Sequence, residues 1–154
     1  MSELQNQVME LQNQDDLLGK YLTFMIDDTL YGIELLYVIE ILSIQAITRV
    51  PGVPAHIKGI FNLRGQIVPV IDMRLRFNKP EKEYDERTCI IVVDYNDNQV
   101  GLIVDQVAEV LSLESSNLEK IPQFSNINNN QYLKSIGKLP SKNILNIDCE
   151  MILK

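Results

Sequence analysis

The stretch Gly59–Phe77, GIFNLRGQIVPVIDMRLRF, decides how this chain is read. Two apolar runs, Gly59–Leu63 and Gln66–Ile71, flank a tight Arg64-Gly65 corner, which predicts a β-hairpin because Gly65 can take a positive φ. Pro69 lies inside the second run. Proline has no N–H to give a ladder, so this strand is expected to be an edge or to carry a bulge there. Asp72 is placed to cap a short helix through Arg76.

The pattern continues on both sides. Tyr21–Ile26 and Leu30–Ile33 read as strands joined by Asp27-Asp28-Thr29, whose side chains favour a turn. Glu34–Val38 suits a helical turn. Ile39–Leu42 is a short apolar run that periodicity leaves open between helix and strand. Pro51, Gly52 and Pro54 mark a loop before Ala55-His56-Ile57. Asn78–Glu86 is a polar connector. Thr88–Tyr95 and Gln99–Val104 form the clearest hairpin, turning at Asn96-Asp97-Asn98. Both of its runs are nearly all apolar, which predicts cover on both faces. Val107–Leu113 is another apolar run, Ser115–Leu118 one helical turn, and Ser125–Gln131 a polar loop. Tyr132–Leu139 and Asn143–Ile147 form a last strand pair around Pro140-Ser141-Lys142, and Asp148 caps a turn through Leu153. Many short strands with Gly, Pro and Asn punctuation indicate barrels or a sandwich.

The first eighteen residues stand apart. They are rich in Gln, Asn and acids, with only Leu4, Val8 and Leu11 at helical spacing, and read as a frayed tail or one short helix. The remainder, residues 19–154, reads as one domain, and 154 residues suffice for a real core. No run approaches the roughly 20 apolar residues of a membrane span, and no secretory signal opens the chain, so a cytoplasmic location is expected. Cys89 and Cys149 each sit in an apolar run, where buried free thiols are favoured over a disulfide.

The net charge of −7 argues against nucleic-acid binding, which needs a basic footprint. The charge is uneven. Arg49 to Lys82 carries seven basic and two acidic residues, or +5; the rest has seven basic against nineteen acidic residues, or −12. Such a basic face suits an acidic protein partner or is simply solvated.

Catalytic chemistry is missing from the pattern. His56 is the sole histidine and fits a surface or structural role. The two cysteines lack companion zinc ligands, and no nucleophile-elbow or phosphate-loop motif occurs. Asp72, Asp94 and Asp105 follow strand-like runs, but capping and turn roles explain all three. Neither an enzyme nor a bound cofactor is expected. Two charges lie among apolar residues: Glu40 between Ile39 and Ile41, and Arg64 at the hairpin corner. Either each points into solvent, or the two pair and hold neighbouring strands in register.

Five blocks in order resemble the CheW family of chemotaxis adaptors. YLTFMIDDTLYGIELLYVIEIL (Tyr21–Leu42) is similar to the family's opening, with its aromatic-Gly-Ile step and later Val-x-Glu. PAHIKGIFNLRGQIVPVIDMRLRF (Pro54–Phe77) resembles the family signature. YDERTCIIVV (Tyr84–Val93) and VGLIVDQVAEVLSL (Val100–Leu113) match its central blocks, and YLKSIGKL (Tyr132–Leu139) its closing one. Ser135 stands where the family often has glycine. The resemblance implies a mostly β fold of two interleaved SH3-like five-stranded β-barrel subdomains with a few short helices. It implies no enzymatic activity. It implies two partners: the cytoplasmic tip of methyl-accepting chemotaxis receptors, held in a groove between the barrels, and the regulatory domain of the histidine kinase CheA. The chain would be a monomer outside the receptor arrays that line the inner membrane. Carried over by motif position, Val38, Arg64, Val107 and Val110 would line the receptor groove, Glu40 would orient Arg64, and Gly59 would permit close backbone approach. The kinase-facing residues are not assigned by motif; the exposed parts of the two hairpins are candidates. Alternatives are a CheW-like domain of a CheV-type protein or of the kinase itself, either of which would carry further residues, and a β-barrel carrier of a small ligand.

Overall fold

The computed structural model describes residues 4–6, 17–121 and 130–154. Among them, eleven strands form two sheets. The strands are β1 (Lys20–Ile26), β2 (Thr29–Glu34), β3 (Val38–Ser43), β4 (Ile57–Leu63), β5 (Gln66–Asp72), β6 (Cys89–Tyr95), β7 (Asn98–Val104), β8 (Gln106–Ser112), β9 (Leu118–Glu119), β10 (Leu133–Leu139) and β11 (Lys142–Ile147). The first sheet runs β8-β1-β2-β11-β10-β9, so it has five full strands and the two-residue β9. The second runs β3-β6-β7-β5-β4. Each sheet draws on both halves of the chain, which interleaves the two subdomains as expected.

The turns follow from the residues that make them. Arg64 and Gly65 both take positive φ (51° and 88°), as do Asn96 and Asp97 (52° and 63°). These are the dihedrals of two-residue turns that match strand twist. Asn98 therefore belongs to β7. Asn62 accepts from the Gly65 N–H at 2.8 Å and stiffens the first of these corners. Asp72 caps α1 (Met73–Arg76), accepting from the backbone N–H of Arg74 at 2.9 Å. Its second oxygen accepts from the Tyr84 hydroxyl at 2.7 Å. Asp148 caps α2 (Cys149–Leu153) by accepting from the Met151 N–H. Leu35–Tyr37 and Ser115–Asn117 are single 3-10 turns, and Ile39–Leu42 is strand.

Three apolar clusters explain why so many strands read as continuous apolar runs. A central cluster lies between the sheets. It takes Leu22, Phe24 and Ile26 from β1, Ile41 from β3, Ile91 and Val93 from β6, and Leu102 and Val104 from β7. A second cluster fills the other face of the second sheet, with Phe61, Val68, Val70, Ile90, Val92 and Ile103. A third does the same for the first sheet, around Tyr21, Leu113 and Ile144. Alternate residues of β6 thus enter different cores, and both faces are buried. Each fully buried Phe, Leu or Ile contributes roughly 1.5–3 kcal/mol. Both cysteines are buried thiols outside any disulfide, and burial pushes the Cys149 thiol up to about 12.

Some expectations are corrected. Strand β5 is interior, between β7 and β4, although Pro69 lies in it. The parallel ladder to β7 starts only at Val70, so no N–H is required of Pro69. The irregularity sits instead in the partner strand, where Lys58 is the extra residue between Ile57 and Gly59. Of the polar loop 125–131, residues 125–129 lie outside the described residues, and Asn130–Tyr132 forms a 3-10 turn. Of the amino-terminal stripe, Val8 and Leu11 also lie outside them. Residues 4–6 are helical, Leu4 packs against the central cluster, and the Gln5 amide donates to the Ile41 carbonyl of β3.

Candidate functional site

The valines singled out by motif position all belong to or pack on the central cluster, from two different sheets. Val38 begins β3, and Val107 and Val110 lie on β8. Val107 is nearly buried; Val38 and Val110 are half-buried, and all three pack on that cluster. Among the described residues, β3 and β8 are end strands of different sheets. Each is thus an edge strand of its sheet, and on the β3 edge the Gln5 amide takes up the Ile41 carbonyl.

Bulges shape both strands. Where β3 meets β6, Val38 opposes Val93 and Glu40 opposes Val92, so Ile39 is extra. Where β8 meets β1, Val110 opposes Leu22 and Val107 opposes Phe24, so Ala108 and Glu109 share Thr23. Regular alternation would send residues three apart to opposite faces; one extra residue brings Val107 and Val110 onto the same face. The same arithmetic places Val38 and Ile41 together on the central cluster. Ile39 and Leu36 are left over a third exposed beside them.

Glu40 and Arg64 pair. The Arg64 guanidinium donates from Nη1 to Glu40 Oε2 at 3.1 Å and from Nη2 to Oε1, a two-pronged contact. The expectation that the pair holds neighbouring strands in register is not met. Glu40 is on β3 and Arg64 follows β4, and these are the two end strands of the second sheet. The pair instead links the sheet's two ends, as the curl of a small barrel requires. Arg64 remains two-thirds exposed while Glu40 is mostly covered. The carboxylate holds the Arg64 guanidinium above its ordinary value. The carboxylate thus fixes the orientation of a guanidinium whose remaining N–H donors stay exposed.

Gly59 stands apart from the valines but serves the same strand ends. Its φ is +156°, and a Cβ there would lie 2.2 Å from the Thr48 carbonyl oxygen. Thr48 and Ile60 exchange two backbone hydrogen bonds, at 2.8 and 2.9 Å. Gly59 therefore lets the segment after β3 lie directly on β4.

Sequence reasoning missed a clasp between the subdomains. Arg74 is 8% exposed. Its Nη1 donates to Asp27 Oδ1 at 2.7 Å and Asp105 Oδ2 at 2.6 Å, and its Nε to the Pro80 carbonyl at 2.8 Å. Asp105 also accepts from the Asp27 N–H. Asp27 is in the β1–β2 turn and Asp105 immediately precedes β8, so the clasp fixes where the site strand begins. The hydrogen bond from Arg74 holds the Asp27 carboxyl below its usual range. The signal available was a pair of aspartates ending strand runs with an arginine just past a helix cap.

The basic stretch is largely compensated from outside itself. Arg64 meets Glu40, Arg74 meets Asp27 and Asp105, and Lys79 meets Asp27; Lys58 meets Glu81 within the stretch. Arg76 lies over the Tyr132 ring, 4.8 Å from its centroid, and against His56. Of the aspartates considered for catalysis, Asp72 caps α1, Asp105 holds Arg74, and Asp94 is paired in the β6–β7 ladder.

A second concave surface lies between the two hairpin tips and α2. It is an open cleft of ≈ 950 Å³ lined by Ile67, Pro69, Tyr95, Val100 and Leu153, among others. Ile67 is 62% exposed.

The fold defines a domain of two interleaved β-subdomains that share one apolar cluster, with the Glu40–Arg64 fork spanning the ends of the second sheet. Residues 20–154 match the model of the CheW-like domain. The chain is 37% identical to the chemotaxis protein CheW of Klebsiella aerogenes over 134 residues, 87% of this chain and 81% of that protein. It is likewise 37% identical to the chemotaxis protein CheW of Bacillus subtilis, over 87% of this chain and 86% of the relative. The crystal structure of the scaffolding protein TtCheW from Thermoanaerobacter tengcongensis superposes with a TM-score of 0.82 at 32% identity, covering 88% of this chain and 92% of that one. The chain belongs to the CheW family, the scaffold proteins of chemotaxis signalling. Among the described residues no helix is long and apolar enough to cross a membrane.

Proposed function

We propose that this chain is a non-enzymatic adaptor that couples methyl-accepting chemoreceptors to the histidine kinase CheA, in the cytoplasm, within arrays at the inner membrane. The observation that carries the reading is that Val38, Val107 and Val110, on the end strands of two different sheets, share one apolar cluster. Half-buried apolar residues of this kind suit one face of a helical hairpin such as a receptor tip. The Glu40–Arg64 fork supplies a preset cation for a receptor carboxylate or backbone carbonyl. Gly59 supports the fork by seating the Thr48 segment on β4.

An adaptor needs a second surface, and the cleft between the hairpin tips supplies one. It is built mainly from β5, the β6–β7 turn and α2, whereas the valines belong to β3 and β8. Its exposed Ile67 is the largest uncovered apolar side chain of either hairpin tip and suits the regulatory domain of the kinase. The two sites predict separable mutants. Val38→Asp should lower affinity for a receptor cytoplasmic fragment at least tenfold and leave kinase-domain affinity unchanged. Ile67→Asp should do the reverse. Equal loss of both affinities in either folded mutant would refute the two-surface reading.

A further inference from the structure

The β8 bulge is held by a side chain rather than by the ladder. Thr23 is fully buried in β1 and stands opposite both Ala108 and Glu109. Its hydroxyl donates to the Glu109 carbonyl at 2.7 Å and accepts from the Glu109 N–H at 3.0 Å. One side-chain oxygen thus satisfies both backbone groups of a residue that the extra position has put out of ladder register. Without it, the Glu109 N–H and C=O would be left unpaired against an apolar strand, and the bulge would lose its local reason to sit there. The bulge could then migrate along β8. A one-residue shift turns each displaced side chain to the other face of the sheet. Val110 is the first site residue past the bulge and the first to be affected.

We propose that Thr23 is the positioning residue of the receptor surface: its hydroxyl pins the bulge at Ala108-Glu109 and so keeps Val110 on the same face as Val107. This rests on the proposal that Val107 and Val110 face the receptor. Thr23 itself is fully covered and touches no partner; it acts only through the backbone of Glu109.

The variants are Thr23→Val, which keeps the shape and removes the hydroxyl, and Thr23→Ser, which keeps the hydroxyl. Thr23→Ala serves as a second hydroxyl-free variant should valine prevent folding. Three readouts are taken on the full chain: affinity for a receptor cytoplasmic fragment, affinity for the kinase regulatory domain, and NMR of the free protein. Thr23→Val or Thr23→Ala should lose about tenfold in receptor affinity, the cost of one or two unpaired buried groups. Kinase-domain affinity should stay within about twofold, and Thr23→Ser should match the parent in both. In the free protein the Glu109 amide should be protected from exchange, and the hydroxyl-free variants should lose that protection together with contacts from the Val110 methyls to Leu22. An unprotected Glu109 amide in the parent overturns the proposal, as does normal receptor affinity in a hydroxyl-free variant. Failure of the parent chain to bind receptor would instead refute the groove reading; persistence or loss of the Val110 contacts would still decide the role of Thr23.

Discussion

Replacing Arg74 with methionine should cost the fold about 3 kcal/mol, mostly because of what is left behind. Met fills much of the arginine stem's volume, so the packing loss is small. The guanidinium, however, is the charge that allows Asp105 to be buried: the Asp105 side chain is 13% exposed and its Oδ2 lies 2.6 Å from Arg74 Nη1. Breaking a well-buried pair by removing one partner costs about 3–5 kcal/mol. The lower end applies here because the other carboxylate, Asp27, is 46% exposed and can be resolvated. Urea unfolding at neutral pH reads the loss as a lower midpoint at unchanged slope. The double variant Arg74→Met/Asp105→Asn should recover about half of it, because the second change removes the orphaned charge. Acid behaviour provides an independent check. Arg74 lowers the Asp27 carboxyl below its unfolded value, so the stability this contributes is full above about pH 4 and is lost as pH falls through the folded value. Arg74→Met should therefore flatten the acid limb of stability. A loss below about 1 kcal/mol, or a double variant no better than the single, would refute the idea that this clasp holds the subdomains together.

Other consequences follow from the site. Arg64→Ala should leave stability nearly unchanged, since Arg64 itself is largely exposed, yet reduce receptor-fragment affinity; calorimetry on Arg64→Ala, Glu40→Ala and the double variant should show non-additive losses. Gly59→Ala should destabilise by about 2 kcal/mol or more in thermal melts, because its Cβ would meet the Thr48 carbonyl at 2.2 Å; a melt equal to the parent's would contradict that crowding. Burial, and secondarily Arg76, hold His56 below its ordinary 6.5. The unfolded chain therefore binds that proton first, and stability should fall as pH drops from about 6.5 towards the folded value. His56→Gln should remove this slope, and an unchanged slope would assign it to other groups.

Local chemistry made much of the fold readable. Asp27-Asp28, Arg64-Gly65 and Asn96-Asp97 each announce a turn through residues that tolerate left-handed dihedrals, and Asp72 and Asp148 announce helix starts. Ile39–Leu42 stayed ambiguous because β3 lies between two cores: Ile41 enters the central cluster and Leu42 the second, so no period-2 polarity survives. Pro69 misled because the rule against interior proline concerns individual hydrogen bonds, and the β7 ladder happens to begin one residue later. The Glu40–Arg64 pairing was conceivable from sequence, but its span was not, since only the sheet order shows that β3 and β4 are opposite ends. The bulges were invisible. They arise where an apolar run of constant character slips by one residue, and Thr23 reads as an ordinary strand threonine until Glu109 is placed beside it.

A single pair of calorimetric titrations would weigh the whole reading: the purified chain against a receptor cytoplasmic fragment, and against the kinase regulatory domain. Saturable binding to both, each able to proceed with the other partner already bound, is the result expected of an adaptor with separate valine and hairpin-tip surfaces. Binding to neither by a chain shown to be folded, or mutual exclusion of the two, would contradict it.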